Sequence, residues 1–262
     1  MSSPAQHWRE ALEAWALPDE IVNSAPQSPW IHPPALFDVP DTIAPSPSHD
    51  RAREVLTDGA TVLDVGCGGG IAAFALTPPA THVIGVDHQT EMLTMFRSNA
   101  IARGVRVETI DGFWPSVAVR TPTADVVTAH HVVYNVADIE PFLLALDDHA
   151  SSRVVLEMPD HHPLAPMSEA WRYFWNLERP DGPTPAELLE VLRELGLDAQ
   201  REQWRGPTRV EQNPEQAAHF MRIRLCLPES REGEVRDFLQ SHVAPLERQL
   251  STIWWDVASH DA

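Results

Sequence analysis

The run Val62-Leu63-Asp64-Val65 passes without a break into Gly66-Cys67-Gly68-Gly69-Gly70. An apolar strand that ends in such a turn lets backbone approach a ligand closely, because glycine carries no Cβ and tolerates positive φ. A second strand-like run, His82-Val83-Ile84-Gly85-Val86, ends in Asp87. An acidic residue about 20 positions past a glycine turn is where a βαβ nucleotide site places its ribose-hydroxyl acceptor. The pair of signals predicts a parallel α/β fold that binds an adenosine-containing small molecule.

The spacing of the glycines narrows the ligand. A dinucleotide fingerprint needs a third glycine that packs helix against strand, and Ile71 stands there. A phosphate loop needs Gly-Lys-Ser/Thr, and the segment holds no lysine. The pattern is instead Asp-x-Gly-x-Gly-x-Gly, Asp64 to Gly70. A carboxylate two positions before the first glycine repels a pyrophosphate and attracts a ligand that carries an ammonium and a sulfonium.

On these residues the chain resembles the class I S-adenosylmethionine-dependent methyltransferases. VLDVGCGGG is similar to their first motif and VIGVD to their second. Val107 to Phe113 resembles the third strand, Ala124 to His131 the fourth and Val154 to Glu157 the fifth. The likeness covers roughly positions 55 to 205. It extends to bacterial methyltransferase-domain proteins in which HHVVYNV, ERPDGPT, RLCLP and a terminal WWD recur, a likeness that carries no substrate with it. The resemblance implies S-adenosyl-L-methionine as cofactor and S-adenosyl-L-homocysteine as product. It implies that Asp64 holds the ammonium, that Gly66, Cys67, Gly68 and Gly70 run beside the ligand, and that Asp87 accepts both ribose hydroxyls. His88 and Met92 line the adenine, Asp111 takes its amino group, Gly112 and Phe113 flank the ring, and His130 reaches the methionine portion.

Composition excludes some classes. The 262 residues suffice for one such domain with insertions. There are 38 acidic against 19 basic residues, a formal charge of −19, which argues against nucleic acid as substrate. No apolar stretch is long enough to span a bilayer, and Met1 is followed by Ser2-Ser3-Pro4 rather than a signal sequence. Cys67 and Cys226 form no disulfide or metal pattern. The expectation is a cytoplasmic protein without a membrane partner; nothing sets its oligomeric state.

The predicted organisation is an N-terminal helix and proline-rich segment over 1–50, then a seven-stranded, mostly parallel Rossmann-like domain over 51–262 with helices on both faces. Pro4 to Ala16 reads as an amphipathic helix. The prolines from Pro18 to Pro47 exclude regular helix or central strand, and this stretch, with Trp30, His32, Phe37, Ser46 and Ser48, is expected either to cover the cofactor mouth or to wrap the surface without touching a ligand. Strands are expected near 61–65, 82–86, 105–110, 124–129, 152–158, 198–204 and 250–257, with helices near 69–77, 90–102, 138–149 and 184–195. Helical insertions are expected at about 160–180 and 213–243.

For the acceptor side, His131 is the candidate general base, with positioning alone as the alternative. Trp30, Tyr134, Trp171 and Trp175 are candidates for an apolar acceptor pocket. No metal is expected, because adjacent histidines in a strand point to opposite faces. The leading reading is methyl transfer to a small molecule. The alternative is a protein that binds S-adenosylmethionine or its product without transfer, a sensor or an enzyme of other sulfonium chemistry; a nicotinamide dehydrogenase comes third.

Overall fold

In the computed structural model, which describes residues 2–30, 37–208, 213–243 and 245–257, seven strands form one sheet. They are β1 (Thr61–Val65), β2 (His82–Asp87), β3 (Arg106–Asp111), β4 (Ala124–His130), β5 (Ala150–Pro159), β6 (Gln200–Pro207) and β7 (Glu247–Asp256). Their order is β3-β2-β1-β4-β5-β7-β6. The first five run parallel, and β7 is antiparallel to both β5 and β6. Strands β1, β2 and β4 read as near-continuous apolar runs because both faces of a parallel sheet are covered.

The helices are α1 (Pro4–Glu13), α2 (Asp19–Ser24), α3 (Pro47–Arg53), α4 (Ile71–Phe74), α5 (Thr90–Ala102), α6 (Ile139–His149), α7 (Ser168–Trp175), α8 (Pro185–Glu194), α9 (Pro214–Arg224) and α10 (Glu232–Ser241). One core cluster joins Trp8 of α1, Phe142 and Leu146 of α6 and Leu188 and Leu192 of α8 to Leu63, Val127 and Leu156 of the sheet. A second joins Ala52 of α3, Phe74 of α4 and Phe96 of α5 to Val62, Val83 and Val155. Residues 62–63 and 154–155 thus send neighbouring side chains to different clusters, as the period-two pleat requires. A third cluster lies among α2, α7, α9 and α10. No described helix is long and apolar enough to cross a membrane.

A capping box at Thr184 starts α8. The Thr184 backbone N–H donates to Glu187 at 2.6 Å. The helix after the glycine turn is shorter than expected, four residues rather than nine, because Thr77-Pro78-Pro79 cannot continue it. Among its described residues the proline-rich segment contains the short helix α2, and its end is the start of α3. Ser46 caps α3 by accepting from the His49 N–H at 3.3 Å, and Pro47 takes the first helical position. Arg153 of β5 then anchors that helix through the Arg51 carbonyl at 2.7 Å and Glu54 at 2.7 Å. Anchoring α3 there carries residues 46–49 to the carboxyl end of β5.

Candidate active site

Register brings the expected carboxylates and histidines to one end of the sheet. Asp87 pairs with Asp111 across β2 and β3, and His130 pairs with Glu157 across β4 and β5. Between them lies the glycine turn. Gly66 has φ +70°, and a Cβ there would come within 2.6 Å of Val132 Cγ2. The N–H groups of Gly66 and Cys67 both donate to the Val86 carbonyl. Asp87 holds the next step of the turn: one carboxylate oxygen accepts from the Gly68 N–H at 3.1 Å, the other from the Gln89 N–H at 2.9 Å. Each oxygen keeps further lone-pair capacity.

Asp64 is the unusual group. It is 2% exposed, and Thr128 Oγ1 donates to its Oδ1 at 3.0 Å. Its Oδ2 is buried and has no partner among the described residues. Burial pushes this carboxyl up to about 7; the Thr128 hydroxyl and the Ala73 backbone N–H pull it back, and the charge of Asp87 pushes it further. A buried carboxylate oxygen without a donor is costly, and a ligand ammonium would supply the donor.

Cys67 contributes little of itself to a ligand. Its thiol packs on Gly85, its N–H and carbonyl are used inside the turn, and burial pushes the thiol well up. His88 and Phe113 stack on each other with centroids 4.5 Å apart, and Phe113 is 66% exposed. Met92 is buried on α5. Asp111 accepts weakly from Thr90 Oγ1 at 3.4 Å. Gly112 donates its N–H to the Asp87 carbonyl at 3.0 Å.

The two histidines at the end of β4 do not point to opposite faces. His130 is the last strand residue, but His131 has left the strand at φ +62°. Its N–H donates to the Glu157 carbonyl at 2.6 Å, and its Nε2 lies 3.0 Å from Glu157 Oε1. His130 stacks on His49 of α3 at 5.9 Å, and its Nε2 is buried without a partner among the described residues. The alternation rule fails here because it applies only inside a strand. Among the described residues, no group of three or more His, Cys, Asp or Glu is arranged to hold a metal ion.

The four aromatic candidates do not share a cluster. Trp171 is 2% exposed in the third core cluster, and Trp175 packs against the same cluster with its Nε1 donating to the Leu225 carbonyl at 2.7 Å. Tyr134 belongs to the first cluster, stacks on Trp8 at 5.9 Å and donates to the Pro159 carbonyl at 2.8 Å. Trp30 stands 61% exposed. Of the expected cover, His32 lies outside the described residues. Phe37 lies against Gly68 and Gly69, Val39 against Gly69, and Arg103 donates to the Pro40 carbonyl at 2.9 Å. Sequence reasoning put Glu157 at the ligand end of the sheet without giving it a role and did not pick out His49, for which the Ser46-Pro47 helix start was the available signal. A cleft of about 550 Å³, bordered by Asp41, Arg53 and Arg103, touches Thr81 and Val105, next to the amino ends of β2 and β3 and away from this constellation.

The comparisons with known proteins agree with this geometry. The sequence model of a family described as a methyltransferase domain matches residues 62–150. A ubiquinone biosynthesis O-methyltransferase of Azorhizobium caulinodans is 34% identical over 113 residues, which is 43% of this chain and 45% of that protein. One of Aliivibrio fischeri is 40% identical over 81 residues, 30% of this chain and 35% of that protein. The chain thus spans less than half the length of these curated relatives. The fold is similar to the YcgJ protein of Bacillus subtilis (TM-score 0.55, 18% identity, 80% of this chain and 97% of that one). It is also similar to TehB of Haemophilus influenzae (TM-score 0.53, 12% identity, 83% and 64%). The matched segment, similar to a methyltransferase domain, is the part of the chain that holds the glycine turn, Asp87 and Asp111.

Proposed function

We propose that the protein transfers a methyl group from S-adenosyl-L-methionine to a small-molecule acceptor. The observation that carries this reading is the buried, partnerless Oδ2 of Asp64 beside the glycine turn. It fits an ammonium, and a dinucleotide offers none there. When bound, the cofactor supplies an electrophilic methyl on a sulfonium. The chain's own residues hold it: Asp64 takes the ammonium, the lone pairs left on Asp87 take the ribose hydroxyls, and Asp111 takes the adenine amino group. Residues 37–43 close over the turn as part of an N-terminal cover. The acceptor lies at the ends of β4 and β5, beside His131. The charge of −19 favours a small molecule over nucleic acid.

S-adenosyl-L-homocysteine at about 100 times its Kd is expected to stabilise the protein by about 2.7 kcal/mol, a rise of roughly 5–10 °C in Tm. NAD and ATP are expected to leave Tm unchanged. A larger shift with NAD would overturn the reading. Transfer itself is tested with methyl-labelled cofactor and a fractionated extract; binding without any labelled product would favour a sensor.

The adenine end gives a second prediction. His88 and Phe113 are already in mutual contact, so the purine takes the exposed side of the pair. Phe113→Ala removes a stacking partner worth roughly 0.5–1.5 kcal/mol. Affinity for S-adenosyl-L-homocysteine by calorimetry is expected to fall roughly 2- to 12-fold. An unchanged Kd would place the adenine elsewhere.

A further inference from the structure

The cleft of about 550 Å³ beside Thr81 and Val105 lies at the opposite end of β2 and β3 from Asp87 and Asp111. Its volume suits a small organic ligand. We propose that it is a second binding site, for a small organic carboxylate, and that its occupant steadies the segment over the glycine turn and so tightens cofactor binding. The coupling rests on the cofactor reading above; the site itself does not.

Charge argues for an anion. The chain has 38 acidic against 19 basic residues, and its arginines commonly face carboxylates. Arg51, Arg153, Arg201 and Arg222 pair with Glu202, Asp256, Asp160 and Glu232 in turn. The two arginines of the cleft bond to carbonyls instead. Arg53 donates to Pro78 at 2.8 Å and to Ala75. Arg103 donates to Pro40 at 2.9 Å and weakly to Asn99 at 3.4 Å. Carbonyls fix the side chains without neutralising them. A guanidinium has five N–H groups, so two bonds on each leave three unused among the described residues.

Other donors of the wall are spent. The Thr77 and Thr81 hydroxyls donate to the Phe74 and Gly59 carbonyls. The N–H groups of Thr81 and Val105 donate to Ala60 and Ala100. The open donors are therefore the two guanidinium forks, and one carboxylate has lone pairs for both. Asp41 borders the cleft, exposed and without an ion pair to either arginine among the described residues. Two guanidinium charges against Asp41 leave a single positive charge, which one carboxylate neutralises. A polyphosphate would add surplus negative charge to a chain of −19. Ile43, Pro78 and Val105 supply an apolar wall for the body of the ligand.

The cleft and the glycine turn share parts. Asp41, Thr42 and Ile43 form one side of the cleft. Just before them, Phe37 lies against Gly68 and Gly69, Val39 against Gly69, and Pro40 holds Arg103. Asn99 donates its side-chain amide to the Gly69 carbonyl at 3.0 Å and accepts from Arg103 at its own carbonyl. The Arg103 guanidinium lies 5.2 Å from the ring of Phe74, which packs against Gly70. A cleft ligand thus meets its full wall only while residues 37–43 cover the turn. That difference in affinity is what shifts such an equilibrium, and the cofactor must tighten the carboxylate by the same factor.

The test is calorimetry at constant ionic strength with benzoate, acetate, phenyl phosphate and benzyl alcohol. Benzoate is expected to bind, acetate and phenyl phosphate more weakly, and benzyl alcohol not measurably. No binding of benzoate, or tighter binding of phenyl phosphate or benzyl alcohol, overturns the carboxylate assignment. Acetate equal to benzoate overturns the role of the apolar wall. Arg53→Gln and Arg103→Gln should each weaken benzoate roughly 10-fold. Arg103 also holds Pro40, so Thr42→Glu gives a check that leaves both arginines in place. Thr42 is exposed on the cleft wall, and a carboxylate there should repel benzoate. An unchanged Kd in Thr42→Glu, or in both arginine variants, places benzoate elsewhere and overturns the site. Saturating benzoate should tighten S-adenosyl-L-homocysteine roughly 5- to 10-fold, with the reciprocal change in benzoate. In Arg53→Gln the Kd for S-adenosyl-L-homocysteine alone should match the wild type, and the enhancement should shrink. Benzoate bound in the cleft with no change in that Kd overturns the coupling. If the wild type does not bind S-adenosyl-L-homocysteine, the cofactor reading fails, and the benzoate titration still decides whether the site exists.

Discussion

Asp64→Asn is expected to make the ligand-free protein more stable at pH 8 and to weaken cofactor binding at the same time. Burial raises this carboxyl from 3.8 to about 7. A group whose folded value lies above its unfolded value makes the folded state bind more protons between the two. Stability from this group is therefore present below pH 4 and lost as pH rises to about 7. At about 1.4 kcal/mol per unit, the loss above pH 7 is on the order of 4 kcal/mol. Asparagine does not ionise, so it escapes this loss, though an unpaired buried amide costs about 1–3 kcal/mol. The net gain at pH 8 is then about 1–3 kcal/mol, and at pH 4 the variant is the less stable protein. Urea unfolding at the two pH values checks the sign. An equal destabilisation at both would show that Asp64 carries no buried charge. The same substitution removes the acceptor for the ligand ammonium, a charged hydrogen bond worth about 1.5–3 kcal/mol. Calorimetry should show roughly 10- to 100-fold weaker binding of S-adenosyl-L-homocysteine. In the wild type, affinity should rise from pH 6 to 8 and binding at pH 6 should release a proton, because the ligand selects the ionised carboxylate.

The destabilised site and the stable sheet are two sides of one arrangement. Register places Asp64 next to Gly85 on β2 and Thr128 on β4, deep between neighbours. The Thr128 hydroxyl donates to one oxygen, and the other has no hydrogen-bond partner among the described residues. The cost of leaving the other oxygen bare is borne by the core clusters on both faces and is recovered when a cation binds.

The sheet was legible because its signal is local. Apolar runs of strand length that end in Gly66 and Asp87 state the first two strands, and the mixed run Arg106–Asp111 follows them at the sheet edge. The capping box at Thr184 and the apolar Leu250–Trp255 run were legible for the same reason. The acceptor side was less so, since its contacts are long-range. Glu157 meets Ser46 across 111 positions, and Phe37 lies over Gly68 and Gly69; no periodicity encodes either meeting. His131 misled the alternation argument because leaving a strand is a backbone event with no marker in the His-His pair. Trp171 and Trp175 looked like a pocket because aromatic spacing on a helix is the same whether it faces a ligand or the α9–α10 pair.

Gly70→Ala is expected to destabilise the fold more than Gly104→Ala. Two effects combine there. Gly70 sits at φ +99°, ψ +22° as the cap before α4, a conformation that costs a residue with a Cβ about 1–2 kcal/mol. The new methyl would also lie 2.8 Å from Phe74 Cδ2 and 2.8 Å from Phe96 Cδ2. Those rings are 4% and 0% exposed, with centroids 5.0 Å apart, so neither can withdraw without disturbing the second core cluster. Forcing a methyl into packed side chains costs typically about 1–3 kcal/mol. The sum is about 2–5 kcal/mol, a fall in Tm of roughly 5–15 °C. Gly104→Ala separates the two effects, since φ is +67° there and nothing lies within 4 Å of the added Cβ. It should show backbone strain alone, about 1–2 kcal/mol, and a fall of only a few degrees. If both variants melt together, the collision with Phe74 and Phe96 is relieved at no cost, and the glycine at the head of α4 is there for the ligand rather than for the packing.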